Sequence, residues 1–335
     1  MAAVQVMVGC QVQRYWGMVM LMAFGIGVCA TTYAQAKPEG IELIVPTAAE
    51  GSTDLLARLI ADGFERNGFG QVKVRNMPGR SGSLAAQTVS VAKADGTTLL
   101  LATPSSHGIA AAFLEHLPYD SVHSFTPIVR FAVAPYLLVV RSEGPSNLAE
   151  FSDRVRNGER TWRYASTGVG GPHHLVAEYF FKKSGLQLKH VPLAGGKEAI
   201  SRLEAGDVDV MLPAAVLALP RIMSGHLKAL AVTGDRRLPS LPHVPTFAEA
   251  GVDINLVSWY GLMAPSKLSK EMTDVLANAV RISLQEPAAQ ARLAELATQQ
   301  THVIGEQFSG LIDGEISQWK SLAGSLNGAS SFKKD

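Results

Sequence analysis

No cysteine occurs after residue 36, since the two in the chain, Cys10 and Cys29, both precede it. The rest of the chain can therefore hold neither a disulfide nor a thiolate-bound metal. Excess charge is missing too: 30 Lys plus Arg stand against 29 Asp plus Glu, and no basic run collects into a stripe. Nucleic-acid binding by phosphate neutralisation thus leaves no footprint. Several catalytic signatures are also absent. Gly168-Val169-Gly170-Gly171 lacks the third glycine of a dinucleotide fingerprint, and Walker, His-Glu-x-x-His and Gly-x-Ser-x-Gly motifs do not occur. His173 and His174 are adjacent, so on a helix they face different sides and cannot share one metal. No cofactor is expected.

What remains is a globular composition, 47% hydrophobic and 18% charged. Arg14 is the only charged residue among the first 36, and it precedes the apolar run Tyr15 to Ala30 and the small-x-small triplet Ala34-Gln35-Ala36. This is the pattern of a secretory signal peptide over 1–36, cleaved after Ala36 and delivering a periplasmic protein. The alternative, an N-terminal anchor, is disfavoured because the run falls short of the ~20 residues of a spanning helix. Val28 before Cys29 is bulkier than a lipidation signal wants.

Beyond residue 36 the chain exceeds the ~250 residues at which one core stops growing, so two lobes are expected. Strand-like runs (Ile41 to Pro46, Val72 to Arg75, Thr98 to Ala102, Tyr136 to Arg141, Trp162 to Ser166, Leu188 to Val191, Val208 to Leu212, Lys228 to Val232, Leu256 to Met263) alternate with helical stretches such as Leu55 to Arg66 and His173 to Lys183. The pattern predicts an α/β protein with parallel sheets covered on both faces. The runs Tyr136 to Arg141 and Leu256 to Met263 are candidate crossings forming a hinge. They divide the chain into lobe 1 (37–140 plus 258–335) and lobe 2 (141–257), with the last helix, Glu306 to Leu322, unassigned. Thr246 and Glu249 have capping-box spacing before Gly251.

Three strand ends run into glycine-bearing turns and then a helix: Pro46 to Asp54, Ser166 to Pro172, and Pro192 to Gly196. Unsatisfied N–H groups and the positive dipole end make such helix starts anion sites without any Lys or Arg. In open α/β sheets they lie where ligands bind. For one loop alone, glycine merely permitting a tight turn is an equal reading. A side chain at Gly168 is expected to crowd this backbone cradle. Ser166 precedes a helix, but nothing in the sequence ties it to a His and an acid, so no catalytic set emerges.

Together these segments resemble the Bug family of periplasmic solute receptors, the extracytoplasmic component of tripartite tricarboxylate transporters. The marks are Gly51-Ser52-Thr53-Asp54-Leu55-Leu56-Ala57-Arg58, Asn76-Met77-Pro78-Gly79, Ala94-Asp95-Gly96-Thr97, Leu117-Pro118-Tyr119-Asp120, the Ser166 to Gly171 loop, Leu241-Pro242-His243-Val244-Pro245-Thr246 and Ser258-Trp259-Tyr260-Gly261. The resemblance implies a type II-like two-lobe periplasmic binding protein, not an enzyme. It would act as a monomer that binds a small organic acid and delivers it to membrane transporter subunits. It implicates Thr47, Ala49, Gly51 and Ser52 on one side and Ser166, Thr167, Gly168 and Gly170 on the other, with Ser106, His107 and Gly195 as secondary contacts. Three positions depart from the family: Glu50 replaces a glycine beside the anion site, Pro213 follows Leu212 where Phe-Asp is usual, and Leu193 replaces a Tyr. A sensor for a signalling partner and a hydrolase using Ser166 are the rival readings.

Overall fold

The apolar runs become strands of two sheets, each with helices against it. The computed structural model describes residues 37–325 apart from 115, 159 and 255, so the expected signal peptide and both cysteines lie outside the described residues. The chain begins with β1 (Gly40–Val45), α1 (Ser52–Arg66), β2 (Gln71–Asn76), α2 (Ser83–Ser90) and β3 (Thr98–Ala102). A π-turn (Ser105–Ile109) and the single-turn α3 (Ala110–Phe113) lead to the long β4 (Phe125–Pro135). Then come β5 (Leu137–Arg141), α4 (Leu148–Arg156), β6 (Arg163–Ser166), α5 (Pro172–Lys183), β7 (Lys189–Pro192), α6 (Gly196–Ala205), β8 (Val210–Met211), α7 (Ala215–Met223) and β9 (Leu227–Val232). The chain ends through β10 (Val257–Pro265), α8 (Lys270–Gln285), α9 (Pro287–Glu295), β11 (Gln299–Ile304) and α10 (Gly305–Ser325).

The first sheet has the order β11-β4-β10-β3-β1-β2 and the second β7-β6-β8-β5-β9. Both are mixed where parallel sheets were expected. In the first, β10 runs antiparallel to β3 and β4; in the second, β5 runs antiparallel to β8 and β9. Each of these reversed strands is the one that has just crossed from the other sheet, whereas β1, β2 and β3, like β6, β7 and β8, keep the parallel sense of βαβ units. The expected crossing runs are therefore the arrival strands. The crossing itself lies at Tyr136, so Leu137 to Val140, placed with lobe 1 from the sequence, pair in the second sheet.

The outward and return connections are stitched together. The Tyr136 amide donates to Thr233 Oγ1 and the Thr233 amide to the Tyr136 carbonyl, both at 2.9 Å. In β1, Ile41, Leu43 and Val45 face the core shared with α1 and α8, while Ile44 faces Leu100 and Met263 on the other side. Burial on both faces explains why this strand is almost unbroken in apolar residues. The C-terminal helix packs Phe308 and Ile312 against Trp259 and Met263 of the first sheet. Its Trp319 and Leu322 join the apolar cluster that continues beneath the second. Thr246 and Glu249 do form the reciprocal box, each amide donating to the other's side chain, but it closes a turn and not a helix.

Candidate ligand-binding site

The carboxyl ends of β1, β3 and β6 converge on a cavity of about 250 Å³. The loop after β1 contributes Thr47 and the first turn of α1 contributes Ser52 and Thr53, while Thr103 and Pro104 follow β3 and Ser105 opens the π-turn. From the second sheet come Thr167, Pro172 and His173, with Ala214 and Leu217 at the start of α7. Tyr136, Ser258 and Tyr260 form the part of the wall nearest the crossing.

The loop after β1 is held from behind by Asp54. Its buried carboxylate accepts the Glu50 amide at 2.9 Å, Arg58 Nε at 3.0 Å and Asn76 Nδ2 at 2.9 Å, and Asn76 also donates to the Thr47 carbonyl at 3.1 Å. Burial alone would raise the Asp54 pKa, but these donors, Arg58 first, outweigh it and hold the carboxyl below its usual range. The turn puts Glu50 at φ 65°, the left-handed region that favours glycine. Glu50 and Ala49 are exposed and off the cavity wall. Thr47 Oγ1 is buried without a hydrogen-bond partner on that wall. Such a hydroxyl costs free energy unless something fills the site.

The loop after β6 is fastened by histidines. Thr167 Oγ1 lies 2.7 Å from His173 Nδ1, and the Gly170 amide donates to His174 Nδ1 at 3.0 Å. The Gly168 amide donates to Ser166 Oγ at 3.2 Å. The amides of Gly168 and Gly170, expected to meet a ligand, are thus already engaged within the chain. Gly168 has φ 117° and open space around a Cβ, so a side chain there would be strained by its backbone and not crowded by neighbours. Ser166 itself is fully buried and off the wall. A base does stand beside it, His190 Nε2 at 2.7 Å, but Ser166 Oγ also donates to the Gly168 carbonyl at 3.0 Å. The hydroxyl is a loop fastener.

The remaining expected contacts shift by one or two residues. Ser106 and His107 are fully buried beneath the β3 loop, with Ser106 Oγ donating to the Thr103 carbonyl and the His107 ring packed on Phe125, so Ser105 faces the cavity instead. Pro213 gives its carbonyl to the Leu137 amide, and its neighbour Ala214 lines the wall. Gly195 caps α6 and is not on the cavity wall, although the next residue, Gly196, packs against the lining residue Leu217. Tyr136, Ser258 and Tyr260 line the cavity too, although the sequence does not single them out. Their signal was their place in the crossing runs, because strands that cross between lobes pass under the cleft.

None of these lining residues is Lys, Arg, Asp or Glu. Burial pushes the His173 imidazole down to about 4, so it is neutral. Positive potential comes from the helix starts: α1, α5 and α7 all open here, with Gly51, Gly171 and Ala214 as N-caps and no side-chain cap on any of them. Away from the cavity, Asn147 and Ser269 cap α4 and α8. Backbone donors and hydroxyls in such an arrangement suit an anion.

A sequence profile of the tripartite tricarboxylate transporter family receptor matches residues 56–327. The chain belongs to this receptor family. It is 29% identical over 300 residues to Protein BugT of Bordetella pertussis, covering 87% of this chain and 90% of the relative. The fold matches that of R. palustris Rpa4515 with adipate at TM-score 0.78, with 29% identity over 86% of this chain and 98% of that one. MatC from Rhodopseudomonas palustris, with bound malate, matches at TM-score 0.73 and 29% identity, covering 84% and 98%. The family and the two-domain periplasmic binding protein fold are those of solute-binding receptors, which are not enzymes. Among the described residues no helix is long and apolar enough to cross a membrane.

Proposed function

We propose that this receptor captures a small organic carboxylate in the cavity between its two sheets and hands it to the membrane subunits of a tripartite transporter. The observation that carries the reading is the meeting of three helix starts without side-chain caps and the unpartnered Thr47 hydroxyl on one uncharged wall. An anion there gains N–H donors and the dipole ends without displacing a salt bridge. The relatives solved with adipate and malate support carboxylates as the class. The signal pattern over 1–36 supports a periplasmic site of action, and the lobes, joined at Tyr136 and by the return into β10, close over the ligand as a hinged clamp.

The test is the melting temperature of residues 37–335 against mono-, di- and tricarboxylates, amino acids and neutral amides. A ligand present at ~1,000 times its dissociation constant stabilises a fold by ~4 kcal/mol, which raises the melting temperature by several degrees. Response to a carboxylate and not to its amide supports the reading. Response to amides alone, or to nothing in the panel, contradicts it.

A further inference from the structure

Behind the β6 loop lies a cluster of titratable groups that makes no contact with the cavity. The imidazoles of His174, on α5, and His190, on β7, stack at 3.9 Å with their planes 6° apart. Tyr164 of β6 stacks on His190 at 4.8 Å, and its hydroxyl donates to Glu178, whose carboxylate is 4.0 Å from His174 Nε2. His173, also on α5, turns away to Thr167. The parallel pairing of β6 with β7 sets Tyr164 beside His190, and the i, i+4 spacing on α5 sets His174 beside Glu178.

Hydrogen-bond direction fixes the proton on His174. A backbone N–H can only donate, so the Gly170 amide makes His174 Nδ1 an acceptor and puts the neutral ring's proton on Nε2, the side of Glu178. Ser166 Oγ lies 3.0 Å from the Gly168 carbonyl and 2.7 Å from His190 Nε2, which donates to it in the tautomer that leaves the hydroxyl proton on that carbonyl. Ser166 then holds both the amide and the carbonyl of Gly168. Gly168 at φ 117° and Gly170 at φ 75° have backbone conformations that need such fastening, since glycine has the most freedom to lose on ordering.

We propose that His174 and His190 are positioning residues for the anion-binding loop: as a stacked neutral pair they lock Gly170 and Gly168, and a proton on His174 Nδ1 unlocks the loop. This rests on the receptor reading above. A protonated His174 would aim an N–H at the Gly170 N–H 3.0 Å away and place a cation against the face of His190. Burial holds both imidazoles down near about 4, for His190 with added repulsion from His174 and an opposing pull from Glu178. The lock therefore holds at neutral pH.

The experiment reads the loop without a ligand. Imidazole nitrogen shifts of the full chain should show His174 protonated on Nε2 at pH 7, and the Gly170 amide should exchange slowly. His174→Ala should lower Gly170 protection about three- to tenfold, the worth of one hydrogen bond. His174→Asn, whose side-chain oxygen can accept the same N–H, should restore it. With adipate as probe at pH 7.5, affinity should drop by a similar factor in the Ala variant and recover in the Asn variant. A proton on His174 Nδ1 in the neutral ring, or unchanged Gly170 exchange in a folded Ala variant, overturns the proposal. If adipate fails to bind the unsubstituted protein, the carboxylate reading suffers, while the nitrogen shifts and exchange still decide the positioning claim.

Discussion

The Asp54 carboxylate accepts the Glu50 amide at 2.9 Å and so ties the first turn of α1 to the loop that opens the cavity. Because Arg58 and Asn76 donate to the same carboxylate, Asp54→Asn would set an NH₂ against at least one donor. Arg58 is half-exposed and its share is screened by solvent, so the main loss falls on the buried bonds. The variant should be destabilised by about 1.5–3 kcal/mol in urea unfolding. It should also bind ligand more weakly, because the Thr47 carbonyl loses its fixed support. A change under ~0.5 kcal/mol would show that the loop does not depend on this carboxylate.

Glu50 carries the opposite expectation. At φ 65° its side chain pays a conformational penalty that glycine avoids. Glycine also adds freedom to the unfolded chain, so Glu50→Gly should leave stability unchanged or raise it by up to ~1 kcal/mol. Glu50 is off the cavity wall, so ligand affinity should change little. Clear destabilisation in thermal melts would contradict the strained-turn account.

Acid should unfold the protein earlier than its balanced charge suggests. Burial holds His107 near about 3 and His173, His174 and His190 near about 4, against an ordinary value of 6.5. Between about 6.5 and 4 the unfolded chain takes protons that these folded histidines refuse, so their contribution to stability is lost as pH falls through that window. Glu315 opposes this. Burial raises it to about 7 despite indole N–H bonds from Trp259 and Trp319, so its contribution is present below 4.5 and is lost as pH rises through about 7. Four histidines against one carboxyl give a net fall in melting temperature from pH 6.5 to 4.5. A flat or rising profile would contradict the neutral, buried assignment.

Much of this was readable in the chain, for reasons that also show where reading stopped. The strands β1, β3 and β5 announce themselves because burial on both faces forces nearly continuous apolar runs. β11 does not: Gln299 to Ile304 is a half-exposed edge strand whose first four residues are polar. β4 is disguised by Pro127, Pro135 and the partly buried Arg130. In the site, the glycine turns marked the loops, but not which atoms face the cavity. Trp259 and Tyr260 show why, since adjacent strand residues point to opposite faces. Trp259 packs its ring against Phe308, while Tyr260 donates its hydroxyl to Ser52 on the cavity side. His174 and His190 are stacked only because α5 packs its His174 onto the strand pair β6 and β7, which no local pattern records.

The central claim is that the cavity between the sheets holds the ligand's carboxylate, and Thr47 tests it most directly. Thr47→Val removes the buried unpartnered hydroxyl with little change of shape and breaks no hydrogen bond of the ligand-free protein. Calorimetric titration of the carboxylate that most raises the melting temperature should give an affinity about ten- to hundredfold weaker for this variant, the loss of one hydrogen bond to a charged group. Unfolding of the ligand-free protein should be unchanged or slightly later. Equal affinity of the two proteins would place the ligand elsewhere and contradict the account.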